Sequence, residues 1–416
     1  MSTSSIVVKN DKQDGKRVGM RRSTVYFLIA LALIGVSAVR ALTSATDLTS
    51  SGQVAGTLAL AVPIGMAGLG GLWSERSGVV NIGLEGMMIL GTFFGAWGSW
   101  HWGAWAGVLT GILGGALGGL LHALVTVTFT VDHVVSGVAI NLLALGSTQY
   151  LASQTFQKVV GSKQSPPLAA LSSWNIPGVS PWLTKLEAHH WFFVSDVAGI
   201  LGGFVTGLSV LTVLAAALMV GTYFLLWRTP FGLRLRSCGE NPIAAESLGV
   251  NVYKYKYIAV VVSGALAGLG GVFMVMVSSN VYQDGQTGGR GFIGLAALIF
   301  GNWRVGGLSL GAMLFGYTDS LQLRGSDAVH ALLLGVAVLL AAIAIRKALS
   351  KAYRQAVVYV VFAGVFWLWY GTTHEVAPAL VNCSPYVITL VVLAFASQRL
   401  RMPKADGMPY RKGQGK

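Results

Sequence analysis

Apolar runs of about twenty residues recur along most of this chain, each the length a helix needs to cross roughly 30 Å of hydrocarbon. They lie at 25–43, 54–73, 87–102, 104–128, 133–153, 197–227, 257–279, 291–303, 306–323, 328–346, 356–371 and 385–398. A spanning segment must satisfy its own backbone, so runs of this kind predict helices. The expected fold class is all-α: a polytopic membrane protein with about 12 transmembrane helices. Composition agrees, with 54% of the 416 residues hydrophobic and 11% charged, against about a quarter charged in a soluble domain.

The net charge of +14 is placed for topology, not for nucleic acid. Lys9, Lys12, Lys16, Arg17, Arg21 and Arg22 precede the first run, and Arg228, Arg234, Arg236, Lys254 and Lys256 bracket the middle of the chain. Arg346, Lys347, Lys351 and Arg354 form a third group, and Arg399, Arg401, Lys404, Arg411, Lys412 and Lys416 a fourth. Basic loops stay cytoplasmic. Threading the twelve runs from a cytoplasmic N-terminus puts all four groups inside, which predicts a multi-pass protein of the cytoplasmic membrane with both termini cytoplasmic. The apolar stretch Val25–Val39 of the first run has a long charged leader and Arg40 directly after it, so the first run reads as a retained helix and not a cleaved signal. Cys238 and Cys383 fall on opposite sides, which excludes a disulfide between them.

The stretch 74–88, SERSGVVNIGLEGMM, interrupts the pattern: Glu75, Arg76, Asn81 and Glu85 fall within eleven positions, among glycines and serines. A second interruption, QTGGRGF at 286–292, precedes IGLAALIFG (293–301), which echoes IGLEGMMILG (82–91). The threading runs the first inside-to-outside and the second outside-to-inside. Two similar short helices in opposite senses predict broken helices in an inverted-topology repeat, whose breaks point to a substrate path. Polar groups within a membrane persist where they line a cavity or meet a partner. Asn81, Glu85 and Asn141 are therefore the candidates for the substrate path, hydrogen-bonding an uncharged polar solute, while Asn141 serves equally well as interhelical glue. Glu75 and Arg76 are the candidates for gate or scaffold.

The external segment 154–196 carries Pro166, Pro167, Pro177 and Pro181, which argue against one long helix and suggest a lid. His189 and His190 within it lack a carboxylate or cysteine partner and read as surface loop. The glycines of 111–123 and 264–273 stand at small-xxx-small spacing and predict close helix packing. No G-x-x-x-x-G-K-[ST] and no H-E-x-x-H occurs, so the chain is expected to bind no ATP by a P-loop, hold no metal and catalyse no reaction.

Residues 228–256 read RTPFGLRLRSCGENPIAAESLGVNVYKYK. Pro230 ends or kinks the helix before it. Asn241 as N-cap, Pro242 at the first helical position and Gly249 as the stop define a short amphipathic helix presenting Ala244, Ala245 and Leu248. By composition it is either a docking element for another protein's groove or a connector packed on its own bundle.

The stretch 231–256 resembles the coupling loop of permease subunits in bacterial ABC importers of the nucleoside, simple-sugar and branched-chain amino-acid group. In that family a Glu-Ala-Ala…Gly motif docks in a cleft of the cytoplasmic ATPase; the matching positions are Glu240, Ala244, Ala245 and Gly249, with Asn241 and Leu248 in the same loop. SERSGVVNIGLEGMM, GGRGFIGLAALIFGNWR (288–304) and SPYVITLVVLAFASQRLRMPKADGMPYRKG (384–413) resemble the nucleoside-type branch. Together the resemblance covers 54–323 and 384–413. It implies a type II importer-like fold, a second permease chain, identical or related, and two ATPase subunits that hydrolyse the ATP. It further implies no cofactor in this chain, an extracellular or periplasmic solute-binding lipoprotein, and a nucleoside or related simple sugar as cargo. The departure is 328–372: two apolar runs stand where the family passes almost directly from a segment like MLFGYTDSLQLR (313–324) to one like PYVITL. The expected organisation is a basic tail (1–22), a permease core (23–323) with external loop 154–196 and coupling loop 228–256, an inserted hairpin (324–383), and a last helix with basic tail (384–416). The alternative is a proton- or sodium-coupled secondary transporter using Glu85 as an ion site, which leaves the Ala-Ala-Glu helix without a role.

Overall fold

The structure, a computed structural model, describes residues 22–324, 326–377, 380–381 and 400–413. The expected last helix, Cys383 and the leader up to residue 21 lie outside the described residues. α1 (Arg22–Thr43) leads through a 3-10 turn into α2 (Ser51–Arg76), α3 (Leu84–Trp102), α4 (Ala104–Ala123) and α5 (His133–Thr155). The segment between α5 and α9 holds α6 (Gln157–Val160), β1 (Ser173–Trp174), α7 (Val179–Ala188), α8 (Val194–Gly203) and β2 (Leu208–Ser209), with β1 and β2 paired antiparallel. Then follow α9 (Val210–Arg228), α10 (Pro230–Glu240), α11 (Pro242–Ser247), α12 (Val252–Phe273), α13 (Arg290–Phe300), α14 (Val305–Leu323), α15 (Ser326–Leu349) and α16 (Tyr353–Thr372). Single π turns extend α4 to Thr128 and α12 to Ser278.

Among the described residues, seven helices are long and apolar enough to cross a membrane. The expected runs 87–102 and 306–323 form α3 and α14, which are not among the seven, and two further runs differ in kind. The run 197–227 is divided, because α8 stops at Gly203 and β2 intervenes before α9. The run 291–303 is the 11-residue α13 and a turn; at 1.5 Å per residue α13 spans about 16 Å, half the hydrocarbon thickness. Hydrophobicity alone marked both as crossings, and it carries no information on backbone breaks.

α2 and α12 pack together at the centre, with α3, α13 and α14 against α2, and α4 against α3 and α12. The two glycine-rich runs face each other. A Cβ on Gly115 would stand 2.3 Å from the Gly264 carbonyl oxygen, and one on Gly264 2.3 Å from that of Gly115. In lipid, close backbone approach of this kind drives helix association. Gly115→Ala forces the pair apart; the expected cost is about 1–3 kcal/mol, read as a lower melting temperature in detergent. α15 and α16 pack on one another at the periphery, with α1 against α15.

The expected lid is stitched down. Arg40 Nε pairs with Asp196 of α8 at 2.8 Å, and Ser51 N donates to Glu187 of α7 at 2.8 Å. Ser165 exchanges hydrogen bonds with the backbone of Tyr282, and Leu168 N donates to Asn280 O at 2.9 Å. The segment between α5 and α9 is thereby tied to the loop that feeds α13. His189 stacks on Trp191 at 4.8 Å.

Candidate functional site

Seven residues between Arg76 and Leu84 are unwound. Gly78 takes φ +86°, in a space where a Cβ would stand 3.1 Å from both Ala405 O and Gly239 Cα. Unwound backbone inside a membrane protein must find partners, and side chains supply them here. His133 Nδ1 accepts from Val80 N at 3.3 Å, and His122 Nε2 donates to Val80 O at 3.0 Å. Asn141 Nδ2 donates to Ile82 O at 3.1 Å while its Oδ1 accepts from Gly86 N at 2.7 Å, clamping the break to the start of α3. The Asn81 side chain is fully buried and donates to Ser263 Oγ of α12 at 2.9 Å. Its Oδ1 has no hydrogen-bond partner among the described residues.

The second break meets the first through Glu85. This carboxylate, 7% exposed, accepts from Gly289 N at 2.9 Å and from Gly291 N at 2.7 Å. It caps the N-terminus of α13, where orphan N–H groups and the helix dipole favour negative charge. The starts of α3 and α13 therefore face one another. The second break lacks a glutamate of its own in the sequence; the structure shows one glutamate serving both.

At the other end of α13, Trp303 joins the end of α2. Its indole N–H donates to Glu75 Oε2, and its carbonyl accepts from Arg76 Nε at 3.1 Å. Arg76 also approaches Glu240 of α10 at 3.9 Å and lies over the Trp227 ring at 5.6 Å. One guanidinium thus links α2, the end of α13 and the loop after α9.

α11 forms as its caps predict. Asn241 Oδ1 accepts from Ala244 N at 3.0 Å, and Gly249 ends the turn at φ +81°. Of the three residues expected at its exposed edge, Ala244 and Leu248 are exposed and Ala245 is not. Ala245 is buried against Cys238, Val252 and Tyr410, while Ile243 and Leu248 project, Leu248 at 85% exposure. The expectation that Ala245 is presented for docking is corrected accordingly: its face of the helix is turned to α12 and the tail.

Residues 400–413 fold back over this surface. Arg401 N donates to Asn302 Oδ1 at 2.7 Å and Ala405 N to Gly239 O at 2.9 Å. The Tyr410 ring packs on Tyr253, 5.5 Å between centroids. Lys256, fully enclosed beside it, donates to Gly78 O at 3.3 Å. Asp406 is buried in the same region. Burial pushes its carboxyl well above the ordinary range, against the opposing pull of Lys256 and Arg76. A raised pKa in the folded chain means that it holds a proton the unfolded chain has released. Tail docking is then strongest below the ordinary carboxylate value near 4 and weakens as pH rises through the raised one. Asp406→Asn is expected to remove that dependence and to keep the tail protected at pH 8, read by hydrogen exchange across 400–413.

Residues 53–365 match the family model described as the permease component of the branched-chain amino acid transport system. The chain belongs to that family. It is 36% identical to a guanosine ABC transporter permease of Bacillus subtilis, over 87% of this chain and 97% of the relative. It is 33% identical to a nucleoside ABC transporter permease of Lactococcus lactis, over 87% and 97%. A putative glucose ABC transporter permease of Haloferax volcanii is 30% identical, over 87% and 98%. No solved structure matches. A permease subunit catalyses no reaction itself, and its ATP is hydrolysed by a partner ATPase. Family membership sets aside the secondary-transporter alternative.

Several residues of this permease's site went unremarked in the sequence. Lys256 counted there only as a topology charge, and Trp303 only as part of a resemblance. His122 sits inside an apolar run, which was the available signal. So does Asp319 of α14, which pairs with Arg290 at the start of α13 at 3.6 Å; an ionisable residue within a span is a functional candidate on that ground alone.

Proposed function

We propose that this chain forms the membrane path of an ATP-driven nucleoside importer. In this reading α10, α11 and the tail lie on the cytoplasmic side. ATPase subunits dock on the Ile243–Leu248 edge, and a second permease chain and an external solute-binding lipoprotein complete the assembly. The observation that supports it is the connection between the two breaks. Glu85 joins the starts of α3 and α13, Trp303 joins the end of α13 to α2, and Arg76 reaches from there to Glu240. A pull on the loop is transmitted to the starts of both α3 and the short α13 through side chains in contact. α3 and α13 are the counterparts of an inverted-topology repeat, and alternating access opens the region where they meet. Asn81, Glu85 and Asn141 border that region, Asn81 with an acceptor to spare; Glu75 and Arg76 form the gate scaffold. Nucleoside cargo is supported by the two relatives of highest quoted identity. The glucose permease supports a second reading, a simple sugar.

The test is uptake of radiolabelled guanosine in a strain lacking this chain, with and without restoring it. Restored uptake that survives collapse of the proton gradient and is competed by nucleosides is the expected result. Competition by glucose alone would move the cargo to sugars, and dependence on the gradient would remove the ATP-driven reading. A green fluorescent protein fused after Lys416 is expected to fluoresce, as it does only when cytoplasmic; a dark fusion reverses the orientation.

A further inference from the structure

On the face that carries α10, α11 and the tail there is a second concave site, separate from the meeting point of α3 and α13. It is a pocket of about 390 Å³ whose walls include Arg76, Arg304, Arg401, Lys404, Glu240 and Trp227. These side chains come from the ends of α2, α9 and α10, the turn before α14, and the tail. Four cations stand there against one carboxylate. Among the described residues, Arg304, Arg401 and Lys404 have no acid within ion-pair distance, and Arg76 meets Glu240 at only 3.9 Å. Arg236 stacks on Trp227 at 5.6 Å, and its Nε is buried without a hydrogen-bond partner.

Basic charge that serves topology alone needs only to be solvated on the surface. Here it is gathered from separate segments around a hollow, and the tail is folded so that Arg401 and Lys404 form part of the wall. Four like charges held together around a single acid cost free energy unless a further anion joins them. A carboxylate would offset one of the three net positive charges, whereas a phosphoryl group offers up to two charges and several acceptor oxygens to guanidinium forks.

We propose that this pocket binds a phosphoryl group, which bridges the tail to the ends of α2 and α10. The group has two possible sources of the same chemistry: a phospholipid headgroup entering beside Trp227 at the end of the α9 span, or a free phosphate compound from solution. Occupancy fastens the tail over the unwound segment after Arg76. An empty site leaves the tail held by its contacts with Asn302, Gly239 and Glu246 and by Tyr410 against Ala245, Tyr253 and Lys256.

The full-length chain is reconstituted in nanodiscs of phosphatidylcholine, with and without phosphatidylglycerol, and its melting is followed while pyrophosphate is titrated at constant ionic strength. The same series is run on Arg304→Gln/Arg401→Gln and on the charge-preserving Arg304→Lys. Losing two charge-assisted contacts is expected to weaken the effective ligand by about tenfold or more, with Arg304→Lys intermediate. Melting of each variant in phosphatidylcholine alone shows that it is folded. Saturable stabilisation by pyrophosphate, lost in the double variant, supports the site with a free phosphate as occupant. Stabilisation by phosphatidylglycerol, lost in the same variant, supports it with lipid as occupant. A response equal in wild type and double variant, or one reproduced by sodium chloride, overturns the proposal, as does no response to either probe.

Discussion

Glu85→Ala is expected to abolish uptake and to cut the stability of the protein sharply. The substitution leaves two amides, the half-buried Gly289 N and the buried Gly291 N, without the carboxylate that both donate to. Hydrogen bonds to a charged group contribute about 1.5–3 kcal/mol each, so the loss is roughly 3–6 kcal/mol, a large share of the ~5–15 kcal/mol of a typical folded protein. Glu85→Gln separates charge from shape. Its amide oxygen accepts one N–H, while its NH₂ faces the other donor, so about half of the loss is expected. Thermal unfolding in detergent and guanosine uptake measure the two consequences separately. Wild-type melting of Glu85→Ala with uptake lost would mean that Glu85 serves the solute and does not cap α13. Wild-type behaviour in both would remove it from the site.

Leu248→Asp is expected to be equally severe for transport and harmless to the fold. At 85% exposure Leu248 packs on little of its own chain, and such surface changes stay within about 0.5 kcal/mol. A charge on the edge offered to an apolar groove opposes docking, so substrate-stimulated ATPase activity and uptake should both vanish while the melting temperature holds. Ala245→Asp makes the contrast. That side chain is enclosed by Cys238, Val252 and Tyr410, and an unpaired buried carboxylate there costs several kcal/mol. It should lose transport together with its melting temperature and the protection of the tail. If Leu248→Asp instead transports normally, the docking edge lies elsewhere.

The two alanines also show where sequence reading stops. The caps of α11 were legible because Asn241, Pro242 and Gly249 act on neighbours within one turn. Which of Ala244 and Ala245 faces outward was not, because Tyr410 decides it from 165 positions away. The same division holds at the breaks. Charge and glycine at 74–88 and 286–292 marked where helices fail, and Glu75 with Arg76 read as a scaffold pair. That Glu85 reaches across to α13 had no local signal, since hydrophobicity records neither depth in the membrane nor the direction of an N–H group. α13 was taken for a crossing on that account, although only its length of 11 residues distinguishes it.

The placement of the tail has a consequence for how the protein is made. Gly78 is enclosed by Ala405, 327 residues further along the chain. At about 5–20 residues per second the ribosome needs roughly 15–65 seconds to supply that cover. Until then Gly78 stands uncovered, and Gly239 and Lys256, once made, wait uncovered beside it. A product that stops short of residue 400 keeps them uncovered for good. Closure of this surface is therefore a mark that synthesis has passed residue 405.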